Sequence, residues 1–379
     1  MPQDPTATTD VAVIGGGVIG LAIAWRAAAR GLRVCVLERG ELGAGASRVA
    51  AGMLAPVTEA DAGELALLGL GLRSARDWPA FAAELEQAAG ADPGLRRSGA
   101  LVVARDRDEA EALERELALR LELGLDVQRL LPSAARRLEP ALAPTVRLAL
   151  DVAGDHSADP RAVVLALAEA ARRAGVTLRT CTAVERIESR GGRVTGVGLA
   201  GGEVVRAPRV VVAAGAWSGA IEGLPRIPLR PVKGQILRLR DPAGGGLVAR
   251  IVRFEGGYLV PRGDGRYVLG ATMEERGFDT TVTAGGLYEL LRDAGELVPG
   301  VHEMVVEEMS AGLRPATPDN APVLGPAEEL AGVHWATGHH RNGILLAPVT
   351  ADLVAGGLGD GGEPVAPAFA AARFGRVPA

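Results

Sequence analysis

Apolar positions along this chain follow two periods. Val11 to Ile14 is a short β-branched run ending in three glycines. Residues 18–30 then carry apolar side chains at helical spacing, and Arg33 to Leu37 returns to a strand. Strand, glycine turn, helix and strand in that order form one parallel unit of ~30 residues. Residues 59–89 read as helix, with Ala, Leu and Glu dominating and the helix formers interrupted only by Pro79. Residues 106–124 read as a charged amphipathic helix with a solvated face, and Pro132 to Leu138 as a short one. Pro160 opens a further helix to about Ala174, with Asp159 as its cap.

Strands dominate the next stretch. They are expected over Thr177–Thr180, in a hairpin around Gly191-Gly192, over Val204–Ala207 and over Arg209–Ala213. Residues 228–240, 248–254, 257–261 and 266–271 alternate with glycine turns, the pattern of an antiparallel sheet. A helix over 283–298, a strand over Val333–Ala336, a loop over Thr337–Asn342 and a helix over 344–356 close the chain. The order implies two domains, both discontinuous: residues 1–80, 150–225 and 310–379 in one, 81–149 and 226–309 in the other. A small-molecule site belongs at their junction.

Composition narrows the function classes. The chain has 379 residues, 48% hydrophobic and 23% charged, with a net charge of -5 and no basic run, so nucleic acid and anionic membranes are poor partners. The run from Val11 to Trp25 is too short and glycine-rich for a membrane span and lacks a basic flank, so a soluble, cytoplasmic protein is expected. Cys35 and Cys181 are the two cysteines; Cys35 sits in an apolar strand, and no metal-ligand spacing appears.

Gly15, Gly17 and Gly20 stand in G-x-G-x-x-G spacing between the first strand and the first helix. The first permits the tight turn, the second leaves space for a pyrophosphate, and the third lets helix and strand pack closely. Amides at the helix start favour the anion. Glu38 ends the next strand, where a carboxylate accepts from ribose hydroxyls. This fingerprint serves FAD and NAD alike.

Further stretches carry a resemblance. Glu38-Arg39 followed by GASRVAAGMLAP, then RVVVAAGAWSG, EGGYLVPR, GATM, AGLRPATPDNAPVLG and ATGHHRNGILLAPVTADLVA, resemble in order the D-amino-acid oxidase family of FAD-dependent amine oxidoreductases. Within it they are most similar to the glycine oxidases of thiamine biosynthesis. The resemblance implies an α/β fold: a Rossmann-like FAD-binding domain plus an α+β substrate domain with an antiparallel sheet. It places Gly15, Gly17, Val18, Ile19, Gly20, Glu38, Arg39, Ala46, Ser47, Ala51, Gly52, Met53 and Val184 at FAD-contact positions. His339, His340, Arg341, Asn342, Gly343, Ile344 and Leu345 match the segment bordering the flavin ring. Arg314 matches the arginine that binds the substrate carboxylate, Arg341 a second arginine near the substrate, and Tyr258 a tyrosine over it. Gly256 stands where a bulkier polar residue is usual, and His340 where an aromatic ring is common; both bear on pocket size.

The implied activity is oxidation of glycine, sarcosine or small D-amino acids, with hydride transfer from Cα to the flavin and oxygen as acceptor. Such chemistry needs a carboxylate anchor, and a planar guanidinium suits that task. A helix starting at Ile344 would point its positive end toward the reduced flavin. From the residues alone, Arg314 also fits a surface arginine, Tyr258 a half-exposed strand tyrosine, and Asn342-Gly343 a plain cap. No side-chain base is required, so His339 and His340 are not assigned one, and His156 and His302 read as surface or loop residues. With no cysteine after position 181, FAD is expected to be noncovalent. The resemblance also implies a homotetramer. Two alternatives stay open: a dehydrogenase of the same fold using another electron acceptor, and a non-catalytic dinucleotide-binding protein.

Overall fold

A computed structural model of the chain describes residues 9–244, 246–359 and 361–375. Residues 1–8 lie outside the described residues. Two large sheets organise the molecule. The first has six strands in the order Val323–Pro326, Val333–Thr337, Val210–Val212, Val11–Ile14, Val34–Leu37 and Thr177–Arg179. Its pairs are parallel except the first. Val11–Ile14 and Val34–Leu37 are buried throughout, as strands covered on both faces must be. Helix Val18–Ala29 packs beside helices Pro160–Arg173 and Ala347–Gly357 on one face of this sheet. A three-stranded sheet, Val184–Arg190, Arg193–Leu199 and Val204–Arg206, packs through Ile187, Val194 and Val197 on the other.

The second sheet has eight strands: Val305–Ala316, Arg230–Arg240, Arg266–Gly270, Gly257–Pro261, Ile251–Phe254, Ala100–Ala104, Leu148–Val152 and Gln128–Leu130. It is antiparallel except where Ile251–Phe254 runs parallel to Ala100–Ala104. Helix Ala284–Leu297 buries Leu290, Ala294 and Leu297 against one face. The other face presents Tyr258, Val260, Ile236 and Val268 to Ala51 and Met53 of the first unit's loop.

Several expectations need correction. The helix expected over 59–89 starts with a 3-10 turn at Ala62–Glu64 and is α-helical from Leu65 to Ala89, running through Pro79 without a break. Its buried face, Leu67, Leu70, Ser74, Trp78, Phe81, Ala82 and Leu85, keeps helical spacing across the proline. Truncating Trp78, 1% exposed, would cost ~3–5 kcal/mol of that packing. The strands Ala100–Ala104, Gln128–Leu130, Leu148–Val152 and Val305–Ala316 were not anticipated from the pattern. His156 lies in the short strand His156–Ser157, half-buried, and burial lowers its pKa. Among the described residues no helix is long and apolar enough to cross a membrane.

Candidate functional site

One cleft of about 1390 Å³ runs from the glycine turn of the first sheet to the open face of the second. That exceeds the ~300–1,000 Å³ usual for one small ligand, and so leaves space for a dinucleotide and a small substrate together.

The turn at its floor is built for close approach. Gly15 has φ +108°, and a methyl there would stand 2.4 Å from the Ala213 carbonyl oxygen. At Gly20 it would stand 1.9 Å from the Gly15 carbonyl oxygen, so this glycine serves helix–strand packing and does not line the cleft. Gly17 is different: its φ is -77°, and an added methyl meets only Ser47 Oγ, at 3.3 Å. It is glycine where the backbone needs none, at the start of a helix without a side-chain cap. The Val18 amide donates to Ser47 Oγ at 3.1 Å, tying the turn to the 46–53 loop. Glu38 is oriented by two amides: Gly16 donates to Oε2 at 2.7 Å and Gly40 to Oε1 at 2.9 Å.

Arg39, Ala46, Ala51, Gly52, Met53 and Val184 also line the cleft. Gly52 has φ +77°, with no space for a side chain beside the Ala158 carbonyl. The elongated cleft they line, with amides at a helix start that has no side-chain cap, fits FAD.

At the other end Arg314 leaves strand Val305–Ala316 and lies over Gly234 of the neighbouring strand. Its Nη1 donates to the carbonyls of Thr272 at 3.0 Å and Lys233 at 3.4 Å. Both bonds use one nitrogen, which leaves the other N–H groups of the fork for a ligand. Tyr258 projects from the same face with its hydroxyl within reach of Arg314; burial pushes the phenol's pKa up and the guanidinium opposes that rise. Arg341 is engaged: its Nε lies 2.9 Å from Glu59 Oε2, and its Nη2 donates to Glu64 Oε2 at 3.4 Å.

His339 and His340 are both buried and face the cleft. His339 Nε2 shares a hydrogen bond with Thr350 Oγ1 at 3.0 Å, and burial pushes its pKa down to about 3. His340 has φ +46° and no hydrogen-bond partner on either ring nitrogen. Burial first, then Arg314, Arg341 and Arg230, push its pKa to about 3 as well.

The helix expected from Ile344 begins at Ala347; a 3-10 turn, His340–Asn342, and a further turn precede it. Its positive end is therefore set back from Asn342-Gly343. Leu345 does not line the main cleft: its carbonyl accepts from Ser74 Oγ at 2.6 Å and Trp78 Nε1 at 2.8 Å, locking the turn onto the core. Gly256 lines the cleft near Asp293 with space for a side chain at its Cβ, but at φ +82°. Glu59, Trp217, Gly234 and Thr272 also line the cleft and were not singled out from the sequence. Gly234 carried a signal, since a glycine inside a strand marks close approach.

The DAO family description, FAD dependent oxidoreductase, matches residues 10–356. A glycine oxidase of Geobacillus kaustophilus is 39% identical over 351 residues, covering 91% of this chain and 92% of its own. A bifunctional ThiO/ThiG protein of Trichormus variabilis is 36% identical, over 92% of this chain and 52% of its own. The crystal structure of glycine oxidase from Geobacillus kaustophilus superposes with a TM-score of 0.90 at 36% identity, covering 98% of this chain and 99% of that one.

Proposed function

The chain belongs to the DAO family of FAD-dependent oxidoreductases, and on that footing we propose that it oxidises the Cα–N bond of a small amino acid, glycine first, with sarcosine and small D-amino acids beside it. One observation carries the reading: Arg314 and Tyr258 share a single cleft with the Gly15–Gly17 turn. A carboxylate anchor at one end and a dinucleotide cradle at the other are what amino-acid oxidation by a flavin requires.

FAD, when bound, supplies the acceptor for the hydride leaving Cα, and oxygen then takes the electrons as hydrogen peroxide. The chain's own groups bind and orient. Arg314 takes the substrate carboxylate through its free N–H groups, a charge-assisted contact. Tyr258 walls the pocket and donates its phenolic proton to the same carboxylate. Arg341 adds a weaker positive field, because Glu59 and Glu64 share its charge. Burial holds the pKa of both histidines down to about 3, so neither is assigned the substrate's proton, and the amine is oxidised in its neutral form.

The organic product is an imine that water converts to the 2-oxo acid and ammonia. The likeness to a ThiO/ThiG protein supports a role for that imine in thiamine thiazole synthesis. The test is a panel of glycine, sarcosine, small D-amino acids and carboxylate-free amines monitored by peroxide release, repeated without oxygen with an artificial acceptor. Glycine turnover with peroxide is expected. Reduction of the acceptor with no peroxide in air would reassign the chain as a dehydrogenase.

A further inference from the structure

Of the 41 Lys and Arg residues in the chain, one is lysine: Lys233. Everywhere else the sequence uses arginine for positive charge. Lys233 is also 1% exposed, although its charge costs free energy to bury. It sits on strand Arg230–Arg240 beside Gly234, the glycine under Arg314.

The partners of its ammonium both belong to one segment, residues 271–283, which leaves strand Arg266–Gly270 and runs to helix Ala284–Leu297. Nζ donates to Asp279 Oδ2 at 2.8 Å and lies 3.7 Å from Glu274 Oε2. The backbones of Lys233 and Glu274 exchange hydrogen bonds at 2.9 and 3.0 Å. Gln235 adds a second tie, donating to Glu274 Oε1 at 2.7 Å and accepting from the Thr283 amide at 2.8 Å. A compact ammonium with three rotatable donors can serve such a crowded, multi-oxygen site; a planar guanidinium needs more space.

The segment does not stay on its own sheet. Phe278 reaches Trp217, which follows the strand Val210–Val212 of the six-stranded sheet, with ring centroids 5.5 Å apart. Trp217 also carries the guanidinium of Arg39, 3.5 Å from its ring centroid, next in sequence to Glu38. All three line the cleft, as do Thr272, Met273 and Glu274 of the segment. The segment thus bridges the cleft, rooted on the sheet that bears Arg314 and touching the wall that bears Glu38 and Arg39.

We infer that residues 271–283 are a clasp for the cofactor, with Lys233 as its pin and Phe278 as its tip, so that these two residues position and retain FAD. The inference goes beyond the amino-acid reading and rests only on Arg39 and Glu38 facing the cofactor.

Two readouts test it without turnover. The rate of FAD loss from the holoenzyme follows the rise of flavin fluorescence in the presence of a trapping apoprotein. Phe278→Ala should lose FAD about five- to tenfold faster, the scale of a lost ring contact. Lys233→Arg should behave similarly, and Asp279→Asn serves where the arginine variant does not fold. Because Lys233 is the only lysine, acetylation by an N-hydroxysuccinimide ester, mapped by peptide mass spectrometry, reads the clasp directly. Lys233 should react about tenfold more slowly in the FAD-loaded protein than in the FAD-free chain, and Phe278→Ala should remove most of that protection. FAD loss at the wild-type rate from folded Phe278→Ala and Asp279→Asn proteins, or equal Lys233 reactivity with and without FAD, would overturn the clasp. Absence of glycine turnover in the FAD-loaded wild-type protein with these results intact would overturn the substrate reading alone.

Discussion

Gly234 lies directly beneath Arg314: a methyl at Gly234 would stand 2.4 Å from Nη2 and 2.5 Å from Cζ. The strand register pairs Val232 with Arg314 and Gly234 with Gly312, so the guanidinium folds back over a position that must be bare. Gly234→Ala is therefore expected to displace the fork while leaving the glycine turn, far along the cleft, untouched. Steady-state kinetics should show KM for glycine raised at least about tenfold, the loss of ~1.4 kcal/mol or more of a charge-assisted contact, with FAD content unchanged. An unchanged KM would mean that the carboxylate does not bind at Arg314.

Gly17 offers the complementary case. The backbone there is ordinary for any residue, and the nearest atom to an added methyl is Ser47 Oγ at 3.3 Å. Gly17→Val should thus fold, yet fill the approach to the amides at the start of helix Val18–Ala29. The expected product is a colourless protein with wild-type circular dichroism. A yellow, fully loaded variant would remove this turn from the cofactor site.

Cofactor attachment can be tested on the wild-type protein. Cys35 is buried in its strand, where burial pushes the thiol up to about 11, and Cys181 is exposed beside Glu41; neither lines the cleft. Acid precipitation should release all flavin as FAD, and colour left in the pellet would show a covalent bond.

Much of this arrangement was legible in the sequence because local chemistry and tertiary position agree. Val11–Ile14, Val34–Leu37 and Val210–Val212 are β-branched runs buried on both faces, and Asp159 caps its helix by accepting from the Arg161 amide at 3.0 Å. What escaped was set by distant partners. In Val305–Ala316 the first half is mostly exposed, with only Glu308 and Ser310 half-buried, and in the second Gly312 fits against Val49 and Arg314 against Gly234. No period marks such a strand. Asn342-Gly343 advertise a helix start by their capping chemistry, but the Leu345 carbonyl is held by Ser74 and Trp78, 271 and 267 residues away. The helix starts only beyond that tether. Arg341 could be read as a cation in the site, but not as one shared between Glu59 and Glu64, because no local pattern records that ion pair.

The two buried histidines predict a pH dependence of stability. Each has a folded pKa near 3, below its unfolded value near 6.5, so the unfolded chain binds more protons between those limits. Stability is then full above about pH 6.5 and falls as pH drops toward 3, by up to ~1.4 kcal/mol per pH unit for each histidine. His340→Asn removes one of them, and asparagine tolerates the φ of +46°. Comparing denaturant unfolding at pH 7 and pH 5 cancels the pH-independent cost of the substitution. The variant should lose less stability than the wild type over that interval, by about 1–2 kcal/mol. Equal losses would show that His340 is charged in the folded protein or does not titrate in this range.

Arg314 itself carries the proposed chemistry. Its guanidinium is braced through Nη1 by two backbone carbonyls, so the side chain holds its orientation without a carboxylate from the protein. Removing it as Arg314→Ala should raise the apparent dissociation constant for glycine two to three orders of magnitude, from losing a partly buried, charge-assisted contact of ~3–4 kcal/mol. FAD content should stay at the wild-type level, since the guanidinium meets the substrate end of the cleft. Arg314→Lys should recover only part of the loss, because an ammonium cannot reproduce the fork or reach both carbonyls and the ligand. Amines without a carboxylate give the internal control: their slow oxidation should be nearly indifferent to the substitution. Arg341→Ala should be milder toward glycine than Arg314→Ala, because Glu59 and Glu64 already draw on its charge. Rapid-mixing reduction of the bound flavin by glycine separates binding from chemistry, and the defect in Arg314→Ala should appear mainly in the concentration dependence of that rate. Unchanged glycine binding in a folded, FAD-loaded Arg314→Ala enzyme would move the carboxylate site elsewhere in the cleft, with Arg341 the next cation to test.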